Sequence, residues 1–179
     1  RFYNSLHIQT PYVFVCDDDL LPGRKYLERC IEFSKRNNNK VVISSFGVIF
    51  SQNSKGYKPS YRADQNVFLS QPTQVNMGGQ GWFMKTELLF HFLHRPPLEL
   101  NTGEDLHFSF CLYENNIPIY VLDKDKKNKE TWQDITLGER GMDEKAQYKS
   151  NKNHFPLRNK LVNKYVEMGW EFGKPSQLL

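Results

Sequence analysis

The sequence predicts an α/β domain in which helices flank a partly parallel sheet. Short apolar runs rich in β-branched and aromatic residues recur along the chain and are typical of buried strands. Between them lie segments with apolar residues at helical spacing. The resulting order of strand, helix, strand, loop and helix is typical of α/β proteins.

The size and composition of the chain fit one globular domain. Its 179 residues are of ordinary domain length, so we expect a single domain over residues 1–179. Hydrophobic residues make up 39% and aromatic residues 14%, which excludes a disordered chain. The formal charge of +4 is only a mild excess, and because nucleic-acid binding requires a clustered basic face, nucleic acid is not an expected partner. No apolar run approaches the roughly 20 residues of a membrane helix.

The three cysteines have neither zinc nor CxxC spacing, and we expect Cys16, Cys30 and Cys111 to be buried, reduced thiols. No Asn-x-Ser/Thr sequon occurs, which favours a cytoplasmic protein. The chain begins at Arg1 rather than at a methionine, so the alternative is a domain excised from a longer chain, including a Golgi-lumenal one.

The first half of the chain contains two predicted strands around one helix. Residues 12–16 form a buried strand that ends in three aspartates, and residues 24–36 carry a helical apolar stripe. Residues 41–46 form a second strand, which residues 48–50 extend. We expect residues 51–75 to form a long polar surface loop with a short strand at 66–69.

The second half contains a glycine-rich segment, three predicted helices and a strand. Residues 75–84 are glycine-rich and then apolar, and a helix follows from Thr86. Thr102 is the predicted N-cap of a helix that ends at residues 115–116. A third strand covers residues 117–122, residues 123–130 form a charged loop, and the last helix begins near Pro156.

The three aspartates that follow the first strand predict a divalent cation site. Adjacent carboxylates repel one another, and Mg²⁺ or Mn²⁺, which prefers oxygen ligands, would compensate them. Alternate residues of an extended segment project to one side, so Asp17 and Asp19 can share a ligand. The alternative is a turn that caps the following helix.

A second acidic pair, Glu104-Asp105, lies at a predicted helix start. Its carboxylates either act as ordinary capping acids or face the metal and remove a proton from an attacking hydroxyl. The glycines of residues 78–81 would allow a ligand to approach the backbone closely. At the start of the last helix, His154 and Arg158 are spaced so that both could meet a diphosphate, although a structural histidine is the alternative.

Taken in order, these motifs resemble those of GT-A glycosyltransferases. Four landmarks of that class occur in sequence: Asp17-Asp18-Asp19, Gly78-Gly79-Gln80-Gly81, Gly103-Glu104-Asp105 and His154. The stretch from Arg1-Phe2 to Asp19 is similar to the region around the DxD motif of exostosin-like (family 64) enzymes. His154-Phe155-x-x-Arg158 is similar to their C-terminal motif, so the resemblance extends from residue 1 to about 170.

The resemblance implies a GT-A fold with a mixed, mainly parallel sheet, and an enzyme that transfers a sugar from a nucleotide-sugar, a UDP-sugar, to a carbohydrate acceptor. It implies Mn²⁺ or Mg²⁺ as cofactor. The residues that it implicates are three metal ligands (Asp17, Asp19 and His154), the donor-binding residues (Arg1, Asp17, Asp18, Gly79, Gly81 and Arg158) and the catalytic residues (Asp105, Glu104 and Arg158).

Two departures from the family pattern bear on this interpretation. Gly103 stands where the exostosin-like enzymes have a cysteine, so their disulfide is not expected here. Only 16 residues precede the aspartates, so either an N-terminal segment with the first strand of the fold is missing from the chain or the nucleotide base is held in an unusual way. The other functions considered are a non-catalytic sugar-binding module of the same fold, a sugar-phosphate nucleotidylyltransferase and a haloacid-dehalogenase-like phosphatase.

Overall fold

The computed structural model describes residues 2–3, 7–18, 20–51, 56–63, 67–125, 127–128, 130 and 151–172. Four strands follow one another in the middle of this part of the chain, with helices before and after them. The elements are β1 (Tyr12–Cys16), α1 (Tyr26–Arg36), β2 (Val42–Phe50), β3 (Pro59–Ala63), β4 (Thr73–Val75), β5 (Met77–Lys85), a 3-10 helix (Thr86–Leu93), α2 (Glu104–Glu114), β6 (Ile119–Val121) and α3 (His154–Glu167).

The described strands form one mixed sheet in the order β1-β5-β2-β6-β4, and β3 pairs with β2. Among these strands, only β2 and β6 pair with each other in parallel, which confirms a partly parallel sheet in an α/β domain. The mainly parallel sheet implied by the family resemblance is wrong, because β1, β3 and β5 all pair antiparallel with their neighbours. Residues 51–58, which join β2 to β3, are too few for a parallel crossover.

Helices cover both faces of the sheet. Successive strand residues point to opposite faces, and the adjacent residues Val42 and Ile43 accordingly belong to different core clusters. Ile43 packs in the cluster that contains Cys30 of α1, whereas Val42 packs in the cluster that contains Phe108 of α2. Helix α1 therefore buries one stripe against the sheet, whereas α2 is buried on all sides over residues 106–112.

Helix α3 packs at the end of the sheet where β5 begins. Its side chains Leu161, Val162 and Tyr165 share a buried cluster with Met77 of β5 and Phe110 of α2. This packing brings the first turns of α2 and α3 together at the same place. The two candidate motifs at the start of these helices consequently become neighbours.

Three local predictions are wrong. The predicted loop over residues 51–75 contains β3 and β4, whose residues are too polar to give a strand pattern, and residues 67–69 contribute a single bridge between Leu69 and Lys124. The predicted helix is present at Thr86–Leu93, but it is a 3-10 helix and Thr86 is its first residue rather than its N-cap. Thr102 does not cap α2, because Gly103 adopts a left-handed conformation (φ 79°) and the helix begins after it.

The buried thiols are confirmed for Cys30 and Cys111 and wrong for Cys16, which is exposed. Val13 and Val15 of β1 point to the fully buried side, whereas Cys16 is on the less covered side of this outer strand and at its end, where it is exposed. Within the described ranges, every helix is too short or too polar to qualify as a membrane span.

Candidate functional site

A buried ion pair joins the two helix starts. Nη1 of Arg158 donates to Oδ1 of Asp105 at 2.9 Å, and Nη2 of Arg158 donates to Oδ2 of Asp105 at 2.8 Å. The side chain of Arg158 is 7% exposed and that of Asp105 is 18% exposed. This two-point geometry is the strongest form of an arginine–carboxylate contact, and it fixes the orientation of both groups.

Hydrogen bonds to its side chain and its backbone hold Asp105 in the first turn of α2. Its Oδ1 also accepts a hydrogen bond from the backbone N–H of Leu106 at 2.8 Å. One turn later, the hydroxyl of Ser109 donates to the backbone carbonyl of Asp105 at 2.6 Å and accepts from the N–H of Gly78 at 3.2 Å. The first turn of α2 is therefore tied to β5 through a serine hydroxyl.

Arg158 lies one turn into α3, in a nearly closed environment. Its Nη2 also contacts Sδ of Met77 at 3.3 Å, and its guanidinium carbon lies 4.5 Å from the centre of the Tyr57 ring. Burial lowers the pKa of Arg158, but the neighbouring Asp105 carboxylate and, to a smaller extent, Tyr57 outweigh this effect, and the pKa is raised overall. The site therefore holds a permanent cation beside a carboxylate.

His154 begins α3, one turn before Arg158. Partial burial lowers its pKa, the positive charge of Arg158 lowers it further, and Asp105 acts in the opposite direction. Its Nδ1 is buried and has no hydrogen-bond partner within the described part of the protein. At neutral pH, the imidazole is therefore held in the neutral form, in which one ring nitrogen carries a lone pair.

The acidic turn follows β1 at the same end of the sheet. The backbone N–H of Asp17 donates to the carbonyl of Gln80 at 3.0 Å, and Asp18 is exposed. Along β5, Gln80 and Met77 are three residues apart, or roughly 10 Å between backbone positions at the usual rise of a strand. Because Met77 contacts Arg158, the acidic turn and the ion pair both lie beside the first half of β5, while Asp19 lies outside the described residues.

The residues of the acidic turn partly fit the cation implied by the resemblance. Within the described ranges, no three His, Cys, Asp or Glu side chains are grouped closely enough to hold a metal ion. Mg²⁺ bound with a substrate diphosphate needs only one or two protein carboxylates, because phosphate oxygens and waters complete its shell. Asp17 and Asp18 supply such oxygens, and Asp19 would add a third.

The glycine-rich segment has a packing role that the sequence did not reveal. It forms the middle of β5, where the N–H groups of Gly79 and Gly81 donate to the hydroxyls of Ser44 and Ser45, both at 2.8 Å. A Cβ at Gly79 would lie 2.8 Å from the ring of Phe46. These glycines admit neighbouring protein side chains, and their contact with a donor stays a prediction.

An irregularity in β5 lies beside the acidic turn. The register with β2 shifts so that β5 has one extra residue, which is a β-bulge. Gln80 has a φ of 60° within this bulge, a left-handed conformation that is uncommon for a residue other than glycine. Bulges often occur next to functional sites, where they redirect a side chain.

The structure brings Asp105, Arg158 and His154 together and places Asp17 and Asp18 at the same end of the sheet. Glu104 lies half-buried in the first turn of α2, beside Asp105. Arg1 lies outside the described residues, next to Phe2, which is buried in the core. Sequence analysis missed Tyr57 and Gln80, since a tyrosine in a polar loop and a glutamine among glycines give no signal by themselves.

Comparisons with known proteins do not assign this chain to a family. No model of a protein family matches it. A search of the curated proteins likewise gives no significant match.

Proposed function

We propose that this domain is a metal-dependent glycosyltransferase that transfers a sugar from a UDP-sugar to a hydroxyl of a carbohydrate acceptor. The observation that carries the proposal is the convergence of Asp105, Arg158 and His154. They come from motifs about 50 residues apart, and the order of those motifs resembles that of the GT-A enzymes. The Asp105–Arg158 contact is direct and two-pointed.

In this proposal, Asp105 is the central carboxylate of the reaction. Glycosyl transfer develops positive charge at the anomeric carbon, and an ionised carboxylate stabilises that charge. The guanidinium of Arg158 favours the ionised form of Asp105 and fixes its orientation. Because both oxygens of Asp105 accept bonds from Arg158, the carboxylate is preorganised before a substrate binds.

The bond changes are those of glycosyl transfer. The bond between the anomeric carbon and the diphosphate oxygen breaks, and its electron pair leaves with the nucleoside diphosphate. The acceptor oxygen bonds to the anomeric carbon, and its proton passes to a carboxylate of the Glu104-Asp105 pair. Arg158 adds positive charge close to the departing diphosphate.

The proposed cofactor is Mn²⁺ or Mg²⁺, held by Asp17 and Asp19, with Asp18 and His154 nearby in the proposed donor site. When bound, the ion would supply Lewis-acid stabilisation of the diphosphate. The protein itself determines where the acidic turn lies. The backbone N–H of Asp17 is bonded to the carbonyl of Gln80, so the position of the acidic turn follows that of β5.

The test is a calorimetric titration of the purified chain with UDP, with and without Mn²⁺. We expect binding that requires the metal and is lost in Asp19→Ala, because the cation loses a ligand. The matched control is Glu32→Ala, which removes an exposed carboxylate on α1. Equal metal-dependent affinity in Asp19→Ala and the wild type would contradict the metal assignment. Donor binding without turnover would instead favour the non-catalytic sugar-binding module.

A further inference from the structure

A short segment before β3 is fastened to the helix that carries Arg158. The N–H of Gly56 donates to Oδ1 of Asn163 at 2.6 Å, and the N–H of Tyr57 donates to Oδ1 of Asn159 at 2.7 Å. Asn159 and Asn163 are one turn apart and so lie on the same side of α3. We call Gly56 and Tyr57 the Tyr57 strap.

The backbone of the strap is shaped to fit this helix. Gly56 has a φ of 76°, and a Cβ at this position would lie 3.1 Å from Oδ1 of Asn159. A side chain there would therefore combine backbone strain with crowding against the group that fastens the strap. Only glycine allows the chain to approach α3 this closely without adjustment.

The strap lays the ring of Tyr57 on Arg158. The guanidinium carbon of Arg158 is 4.5 Å from the ring centre, within the range of a cation–π contact. Phe50 of β2 packs its ring edge-on against Tyr57, with 5.7 Å between ring centres and an angle of 71°. The guanidinium of Arg158 is therefore in contact with the Asp105 carboxylate along one edge and with the ring of Tyr57 on another side.

We propose that Tyr57 is a positioning residue for the Asp105–Arg158 pair. An arginine side chain has a long flexible stem, and a two-point contact with a carboxylate requires that stem to be ordered. The ring of Tyr57 blocks alternative orientations of the guanidinium. Helix α3 holds both groups in place, because Arg158 is part of it and Tyr57 is bonded to its Asn159. The consequence for catalysis rests on the proposed function, whereas the consequence for the geometry of Arg158 does not.

We expect the ring of Tyr57 to provide the main contact, and the chain offers matched variants to test this. Tyr57→Ala removes both the ring and the hydroxyl, which also interacts with Arg158, while Tyr57→Phe keeps the ring alone. Arg62 provides the control, because its guanidinium carbon lies 5.7 Å from the same ring and its side chain is exposed. Arg62→Ala therefore removes a second cation from Tyr57 without touching the ion pair.

The direct readout is the nitrogen NMR spectrum of the arginine side chains, with the Arg158 signals assigned from their loss in Arg158→Lys. A guanidinium held by two hydrogen bonds rotates slowly about its Cζ–Nη bonds and gives separate Nη signals. We expect these signals in the wild type, Tyr57→Phe and Arg62→Ala, and their loss in Tyr57→Ala. Unchanged Arg158 signals in a folded Tyr57→Ala variant would overturn the proposal.

A second variant covers the case in which Tyr57→Ala does not fold. Asn159→Ala removes one fastening of the strap and leaves the ring in the chain, and we expect it to broaden the Arg158 signals. Asn163→Ala is expected to act in the same direction. Sharp, separate signals in both asparagine variants would contradict the role of the strap.

The second readout is turnover with a UDP-sugar. We expect Tyr57→Ala to lower kcat at least tenfold with a donor KM within twofold of the wild type, and Tyr57→Phe to restore kcat. If Arg158 is released but kcat is unchanged, the catalytic role of the positioning is wrong. If the wild type has no turnover while its Arg158 signals depend on Tyr57, the proposed function fails and the positioning stands.

Discussion

Removal of Arg158 from the buried pair is expected to destabilise the fold strongly. Arg158→Met keeps the unbranched stem and removes the charge, so the Asp105 carboxylate remains in a site where its side chain is 18% exposed. Breaking a buried pair in this way typically costs roughly 3–5 kcal/mol. We expect about 3 kcal/mol, the lower end of that range, because Asp105 keeps some exposure and its bond to the N–H of Leu106.

The assay is urea unfolding, together with a thermal melt. For a domain of this size, a loss of about 3 kcal/mol corresponds to a decrease in Tm of roughly 6–12 °C. The matched control is Arg29→Met, which breaks a short ion pair with Asp123 whose side chains are 24% and 42% exposed. A partly exposed pair is screened by solvent and is expected to contribute about 1 kcal/mol or less, so this variant is expected to lose much less stability.

A double-mutant cycle completes the test. Asp105→Asn alone leaves Arg158 without its carboxylate, and the double variant Arg158→Met/Asp105→Asn removes both charges. We expect the double variant to be more stable than the sum of the single losses implies, by about 2 kcal/mol. Additive losses, or a cost for Arg158→Met no larger than for Arg29→Met, would refute the view that this pair is strongly coupled.

Three further predictions concern the glycine before α2 and the cysteines. Gly103→Ala combines a φ of 79° with a close contact between the new Cβ and a leucine of α3. We therefore expect the free energy of unfolding in urea to fall by about 2 kcal/mol or more. A decrease below about 0.5 kcal/mol would contradict this. Cys16 is exposed while Cys30 and Cys111 are buried, so a thiol reagent should titrate one thiol of the native protein rapidly; rapid reaction of all three would be inconsistent with the fold. Burial raises the pKa of Cys30 from 9.0 to about 12, so folding favours its protonated form. The free energy of unfolding should therefore fall between pH 9 and 12, and it should fall less steeply in Cys30→Ala. Identical slopes for the two proteins would count against this burial.

Much of the layered fold could be predicted from local patterns. The runs that became β1 and β2 are apolar and β-branched, and α1 and α3 carry apolar stripes at helical spacing. These elements form where one side of the chain is buried, and the spacing of apolar residues in the sequence shows directly which side that is. The same reasoning failed for β3 and β4, because polar side chains on these strands give no alternating signal.

The glycine-rich segment was misinterpreted for a related reason. Glycines give no hydrophobic pattern, yet these positions form the middle of a strand that the side chains of Ser44, Ser45 and Phe46 approach closely. The reason for the glycines lies in a neighbouring strand, about 35 residues earlier in the chain. A single sequence does not reveal such a tertiary contact.

The candidate site was predictable in its members and not in its geometry. Asp105, Arg158 and His154 could be selected from their motifs, but the direct contact between Asp105 and Arg158 spans 53 residues of chain. The sequence suggested that Arg158 meets a diphosphate, whereas its nearest charged group in the protein is the Asp105 carboxylate. Tyr57 gave no signal, because the strap that places it depends on asparagines of α3.

The most direct test of the proposed transferase is the release of UDP from a panel of UDP-sugars by the wild type and by Asp105→Asn, in Mn²⁺. Asparagine preserves the shape of the side chain and removes its charge. The proposal predicts UDP release by the wild type with at least one donor, and a loss of a hundredfold or more in Asp105→Asn with UDP affinity retained. Equal rates for the two proteins would contradict the role of Asp105, and no release with any donor, despite metal-dependent UDP binding, would contradict the transferase.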